Sequence, residues 1–210
     1  MIASTRIKLA LLVALASLAL LKIGALQVCP AGRCRVLAFD ASVLTTLDGW
    51  RTPALDNFFA VVTWAGSLYL LLPLNVLLAL TDRRAIGYYQ RGFVLLALFS
   101  NWLVIDLAKL LVARPRPTPF EALIALPADG SFPSAHAAQI TAFACAWLLR
   151  PGVRSSPPVA VLLMTTVLTV CLSRLYLQVH YPSDVLYGMA ASALWVVALR
   201  MLYTAAETAP

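Results

Sequence analysis

Residues 58–80 read FFAVVTWAGSLYLLLPLNVLLAL, a run without one charged side chain. Its length exceeds the roughly 20 residues a helix needs to cross the hydrocarbon core of a bilayer. The rest of the chain is nearly as apolar. It is 61% hydrophobic and 12% charged, with a mean hydropathy of +0.85, whereas a soluble domain is roughly half apolar. No repeat, low-complexity tract or long linker divides residues 1–210, so a single integral membrane domain is expected.

Five further runs, at about 7–28, 90–112, 134–150, 157–178 and 184–204, are bounded or entered by charges. Together they predict an all-α, six-helix transmembrane bundle with both termini on one side. Arg6, Lys8, Arg83, Arg84, Arg91, Arg150, Arg154 and Arg200 then share that side, and Lys22, Arg33, Arg35, Arg51, Lys109, Arg114, Arg116 and Arg174 share the other. The two sets are equal in size. The positive-inside rule assigns the first set to the cytoplasm once some of the second are set aside as site residues. The first run begins like a signal peptide, but Lys22 follows it and no small-residue cleavage site is evident, so an uncleaved helix is expected.

Between the first two spans, Val36, Val43, Leu47 and Trp50 fall on one helical stripe, with Asp40 and Asp48 among the polar positions. This fits a short helix lying in the membrane interface, or a connector packed on the bundle. Cys29 and Cys34 bracket a turn-forming CPAGRC segment that suits either a small disulfide ring or two free thiols. Cys145 and Cys171 lie in apolar runs as packing residues, and no cysteine and histidine spacing resembles a zinc site.

Three segments gather the charge at the outer ends of the last four helices: KLLVARPRP (109–117), FPSAH (132–136) and SRLYLQVHYPSD (173–184). Ionisable groups near membrane depth are costly and point to function. Lys109, Arg116 and Arg174 are suited to converge on an anion, because guanidinium forks match phosphate oxygens and lysine adds a compact charge. Ser134 follows a proline and opens an apolar run, as an N-cap does. A phosphate placed there would meet free backbone N–H groups and the positive end of the helix dipole.

The chain has two histidines, His136 and His180, and both lie in these segments. One imidazole can attack phosphorus while a second, protonated, donates to the departing oxygen. Asp184 lies four residues after His180, a spacing that lets the carboxylate hold one ring nitrogen and leave the other free. His180 is therefore the expected nucleophile, His136 the acid and Asp184 the orienting carboxylate.

The ordered pattern Lys-x6-Arg-Pro, Pro-Ser-x-His and Ser-Arg-x5-His-x3-Asp resembles that of the type 2 phosphatidic acid phosphatase superfamily. The resemblance implies a six-helix bundle, hydrolysis through a phosphohistidine without metal or other cofactor, and a site at the outer membrane interface. It also implies phosphate contacts from Lys109, Arg116, Ser134, the Ala135 amide and Arg174. The second motif usually reads Pro-Ser-Gly-His; Ala135 stands at the glycine, and a positive φ there would strain it.

What the resemblance implies is a bacterial inner-membrane lipid phosphatase with its site facing the periplasm. Its partners would be a lipid phosphate substrate and the surrounding membrane lipids, with no nucleic acid. Undecaprenyl diphosphate is the first expectation for substrate, with phosphatidate, phosphatidylglycerophosphate and lipid A 1-phosphate as competitors. A lipid phosphotransferase using the same site is the alternative enzyme, and a nonenzymatic anion-binding or transport protein is a third class. Outside the core site, Arg114 is expected to snorkel to headgroups and Asp106 to pair with Lys109 one turn on. Trp50, Trp64, Trp102 and Tyr181 suit interfacial anchoring. Tyr176 and Glu121 are either headgroup contacts or solvated loop residues.

Overall fold

The computed structural model describes residues 2–81, 88–118, 122–152 and 154–207, and all their regular elements are helical. Arg83, Arg84 and Glu121 lie outside the described residues. The elements are α1 (Ile2–Val28), α2 (Ala38–Asp48), α3 (Pro53–Val62), α4 (Leu68–Thr81), α5 (Tyr88–Val112), α6 (Ala135–Leu148), α7 (Pro157–Tyr176) and α8 (Pro182–Glu207). Four of them, α1, α5, α7 and α8, are long and apolar enough to cross a membrane.

The uncharged run at 58–80 is not one straight span. A 3-10 turn, Thr63–Gly66, separates α3 from α4, and the two helices are bent by 52°. Hydropathy cannot register this break, because its residues are uncharged. α3 itself starts cleanly: Pro53 sits in the first turn and Thr52 Oγ1 accepts from the Leu55 amide at 3.3 Å, a standard N-terminal arrangement.

The fourth expected span, at 134–150, is also shorter than a span. α6 has 14 residues, roughly 21 Å at 1.5 Å per residue, against a core of about 30 Å. It need not match the bilayer because protein encloses it. Ala137, Ala138, Ala142, Ala144 and Ala146 are at most 1% exposed, and such small side chains let neighbouring backbones approach closely. Around α6 the core takes Phe93, Ala97 and Leu98 from α5, Val167, Val170 and Cys171 from α7, and Val185 and Val196 from α8. Large apolar side chains face outward on the spans: Leu12 and Leu15 are 61% exposed, Leu110 and Leu111 77%. In water this surface would drive association; in a bilayer it is the lipid-facing side of a multi-pass protein.

α2 lies between the first two spans, but its inner face is not the expected stripe. Asp40, Leu44 and Leu47 are buried, while Val36 and Trp50 are exposed. Cys29 and Cys34 form a disulfide, and Cys171 is a buried free thiol in the core.

Candidate active site

α5 carries Lys109 in its last turn and ends at Val112. The next residue, Ala113, has φ +47°, a left-handed conformation that stops a helix and reverses the chain. The reversal carries Arg114 and Arg116 back over the helix end, and the Ser131 amide donates to Arg114 O at 2.7 Å. α7 ends in the same way. After Arg174 in its last turn, Gln178 takes φ +58°, and the His180 amide donates to Arg174 O at 3.3 Å. Between these two ends, Ser134 stands at the N-cap of α6.

These turns bring Lys109, Arg116, Ala135, His136, Arg174 and His180 to one cavity of about 750 Å³. Its other wall is apolar or aromatic, with Leu68, Leu72 and Pro73 from α4 and Phe99 and Trp102 from α5. Ser134 is fully buried, its amide bonded to Asp184 O at 3.0 Å. Its Oγ makes no capping bond and has no partner among the described residues. Ala135 is the first residue of α6 and does not have positive φ, so alanine at the usual glycine position introduces no strain.

Arg116 Nη1 donates to Val179 O at 2.8 Å and lies 3.3 Å from His180 Nε2. A guanidinium only donates, so this contact requires a lone pair on Nε2 and leaves the ring proton on Nδ1. Nδ1 faces Asp184 Oδ2 at 3.6 Å, longer than a hydrogen bond. The expected His180–Asp184 bond is thus an approach rather than a contact. Burial first, then the charges of Arg174, Arg116 and Lys109, hold the His180 imidazole well below its usual range.

Asp184 is held by other groups. Arg114 Nη1 reaches its Oδ1 at 2.5 Å, the Tyr181 amide donates to its Oδ2 at 2.9 Å, and Ser131 Oγ donates to the same oxygen. Arg114 is no snorkelling residue. It is 1% exposed, stacks on Tyr181 with its guanidinium carbon 3.9 Å from the ring centroid, and donates through Nη2 to Asp40 Oδ2 at 2.9 Å and Arg35 O at 3.0 Å. Asp40 in turn accepts from the Ser183 amide at 2.9 Å and the Ser183 hydroxyl at 2.7 Å. Tyr181 therefore packs inside rather than anchoring at the interface. Asp40 is buried on α2 because these donors wait for it.

Lys109 takes Asp129 as its partner at 2.9 Å, not Asp106. Asp106 lines the cavity instead. Asp129 also meets Arg116 Nη2 at 2.5 Å. Burial alone would push the Asp129 carboxyl up; hydrogen bonding and charge from Lys109, then Arg116, outweigh it and hold the group below its usual range. Tyr176 is 1% exposed and does not line the cavity; it donates to Asp56 at 2.7 Å and accepts from the Thr52 amide at 3.2 Å.

Sequence reasoning also missed the groups behind the cationic and histidine residues. Thr63 Oγ1, in the bent span, accepts from Arg174 Nη1 at 2.6 Å. A Cβ at Gly66 would stand 2.9 Å from His136 O, and one at Gly188 3.0 Å from Ser134 O. A glycine next to a serine inside the 58–80 run was the available signal for the break.

Comparison with known proteins agrees with this architecture. Residues 92–207 match the family model described as PAP2 superfamily. Decaprenylphosphoryl-5-phosphoribose phosphatase of Mycobacterium tuberculosis is 45% identical over 89 residues, covering 41% of this chain and 46% of the relative. The chain thus spans about half the length of the curated relatives it matches. Among solved structures, the first transmembrane PAP2 type phosphatidylglycerolphosphate phosphatase from Bacillus subtilis superposes with a TM-score of 0.68 at 21% identity, over 92% of this chain and 94% of that one. Aquifex aeolicus LpxE superposes with a TM-score of 0.67 at 23% identity, over 78% of this chain and 95% of that one. These two likenesses show a shared all-helical membrane fold, and with the family model matched over more than half its length, the chain belongs to the PAP2 superfamily.

Proposed function

We propose that this protein is a membrane lipid-phosphate phosphatase that works through a phosphohistidine on His180. The carrying observation is the Arg116–His180 contact, which identifies Nε2 as the ring nitrogen that bears the lone pair, in a cavity lined by Lys109, Arg116 and Arg174 where a bound phosphate would draw the guanidinium away from it. Phosphate oxygens lie against those cations, Ser134 Oγ and the first amides of α6, including that of Ala135. Nε2 attacks phosphorus, the N–P bond forms, and the P–O bond to the lipid breaks as His136, which takes up a proton when the phosphate dianion binds beside it, gives that proton to the leaving oxygen. Water then attacks the phosphohistidine, losing a proton to His136, and the N–P bond breaks to release phosphate. No step calls for a metal. Asp184, fixed by Arg114, stands 3.6 Å from Nδ1 of His180 and is placed to accept from it as the ring gains positive charge.

The apolar wall formed by α4 and α5 suits a lipid tail. A phosphate monoester on the headgroup of a polyprenyl-linked lipid is the first reading, supported by the name of the Mycobacterium tuberculosis relative. Undecaprenyl diphosphate is the second, favoured by three cations around one anion site. The Cys29–Cys34 bridge lies at the same end of the bundle as the site, linked through the Arg114 bond to Arg35 O. Disulfides persist on oxidising faces, which supports a periplasm-facing site in an inner membrane.

The test is phosphate release by purified protein in detergent with EDTA present, from polyprenyl phosphate, polyprenyl diphosphate, phosphatidate, phosphatidylglycerophosphate and lipid A. Release that survives EDTA and falls at least about a thousandfold in His180→Ala supports the reading. Release that persists in the variant would overturn the phosphohistidine. Phosphate appearing on a second lipid instead of in solution would identify a phosphotransferase.

A further inference from the structure

The cavity changes character along the bundle axis, and its helices mark the levels. α5 ends at the site and α6 begins there, so counting back from Lys109 and forward from His136 both lead deeper into the bundle. On α5 the lining residues are Lys109, Asp106, Trp102 and Phe99; on α6 they are Ala135, His136 and Gln139. Asp106 and Gln139 each stand three positions, about 4.5 Å, deeper than the cation or histidine of their own helix, and Trp102 and Phe99 lie about 10 and 15 Å deeper than Lys109. α4 follows the same direction: it starts just past Gly66, which packs on His136, and Leu78 and Thr81 reach Trp147 and Arg150 at the far end of α6. Its Leu72 and Pro73 therefore line the deep part. Cations and histidines come first, then Asp106 and Gln139, then an apolar slot.

The middle level is polar, and protein does not satisfy it. Gln139 is 5% exposed, yet its side-chain amide bonds to no described residue. Asp106, on the facing helix, pairs with no described residue either. The other oxygen-bearing side chains of the wall are engaged: Asp129 holds Lys109 and Arg116, and Ser67 Oγ accepts from the Tyr69 amide at 3.2 Å. A carboxylate at membrane depth and a buried amide without a bond are both costly, so a ligand that bonds to both is favoured at this level. A carboxylate only accepts, whereas a carboxamide donates and accepts. Hydroxyl groups answer both. An ammonium would suit Asp106 but has no lone pair for the Gln139 N–H, and a second anion would be repelled by Asp106.

We infer that Asp106 and Gln139 are specificity-determining residues that bind the hydroxyl groups of a sugar or glycerol headgroup standing between the phosphate and the lipid tail. The inference rests on the phosphatase reading above and narrows its substrate class to lipids whose phosphate is carried by a polyol. An ester made directly on a prenyl or alkyl chain would press methylenes against a carboxylate and an amide, leaving both without partners.

The experiment uses the purified full-length protein in detergent and two lipids that differ by one hydroxyl, hexadecylglycerol phosphate and hexadecyloxypropyl phosphate. kcat/KM for the pair is measured on one preparation each of wild type, Asp106→Ala, Asp106→Asn and Gln139→Met, so that any loss of folded protein cancels in the ratio. Calorimetry on the same preparations compares ribose phosphate with pentyl phosphate, both primary esters. Wild type should favour the hydroxylated member of each pair by about tenfold or more. Asp106→Ala and Gln139→Met should bring the ratio to within about threefold of one, and Asp106→Asn, which keeps an accepting oxygen, should retain part of the preference. A wild type that does not distinguish the members, or a ratio that survives both Asp106→Ala and Gln139→Met, overturns the inference. If neither lipid is hydrolysed while ribose phosphate is still preferred and the preference falls in the variants, the phosphatase reading fails and the headgroup contact stands.

Discussion

Gly66 gives the sharpest test of how the bent span serves the site. A methyl group added there would lie 2.7 Å from Val170 Cγ1, 2.9 Å from His136 O and 3.1 Å from His136 Cβ. Carbon contacts are comfortable at about 3.5–4.0 Å, so something must move by roughly 1 Å. Val170 cannot simply turn aside, because a β-branched residue in a helix has one strongly preferred rotamer and this one is fully buried. The carbonyl is backbone of α6, so relief there displaces the first turn of the helix and His136 with it. Overpacking of this kind costs about 1–3 kcal/mol, and a 1 Å misplacement of a reacting group costs about 100-fold in rate.

Gly66→Ala is therefore expected to lower kcat by roughly ten- to a hundredfold and to depress the thermal midpoint in detergent. Gly92→Ala is the control: nothing lies within 4 Å of its added methyl, and alanine is favoured over glycine inside a helix by up to about 1 kcal/mol. The assay is phosphate release at saturating lipid, with thermal unfolding on the same preparations. If Gly66→Ala turns over and unfolds like Gly92→Ala, the close approach does not constrain His136 and the reasoning fails.

Removing the Asp40 carboxylate should act at a distance. Asp40→Ala deprives a buried arginine of one of its two counter-ions, a loss of about 3–5 kcal/mol, read as a lower thermal midpoint, whereas Asp48→Ala at the exposed end of α2 should change it little. Equal midpoints for the two variants would contradict the role given to the Arg114 network. The pH dependence follows from His180, whose folded pKa is held well below the usual value by burial and neighbouring cations. Below about pH 6.5 the unfolded chain binds a proton that the folded one refuses, so stability is lost as pH falls, by up to about 1.4 kcal/mol per pH unit. Above that range the group contributes no pH dependence. Thermal midpoints at pH 5.5 and 7.5 should lie closer together in His180→Gln than in the wild type; an unchanged difference would count against a neutral, buried ring.

The residues that face the cavity were legible because each belongs to a polar interruption of an apolar run with fixed internal spacing. Lys109, Arg116, His136, Arg174 and His180 were all found that way and line one cavity, and Ser134 and Asp184, from the same segments, are buried and bonded to each other through the backbone. What supports them was not legible. Asp40 and Arg114 are 74 positions apart in sequence, and each taken alone has an ordinary surface explanation, a polar position on an amphipathic helix and a basic residue at a span end. Only the fold pairs them. Asp129 was hidden for a related reason: an aspartate before a glycine reads as turn chemistry, and nothing local says that its carboxylate reaches two cations. The length of α6 was misread because hydropathy measures apolarity, not whether lipid or protein supplies the apolar surroundings.

Three irregular points of the bundle, at Thr63–Gly66, Ala113 and Gln178, have a common cause. Backbone that leaves the helix at membrane depth exposes N–H and C=O groups, which is tolerated only where protein or a polar cavity receives them. The break at Thr63–Gly66 delivers Thr63 Oγ1 to Arg174 and a bare α-carbon to His136. The left-handed residue Ala113 turns Arg114 and Arg116 back over the end of α5, and Gln178 does the same for Val179 and His180 at the end of α7. Straight helices could not supply these groups, because side chains that share one helix face recur every three or four residues and point outward from one axis. A phosphate needs donors arriving from several directions within a few ångströms. Ending helices at the cavity achieves this, and the energetic cost of each irregular turn is offset at the one place where polar partners are already gathered. On this argument, straightening any of the three turns should damage the site more than it damages the bundle.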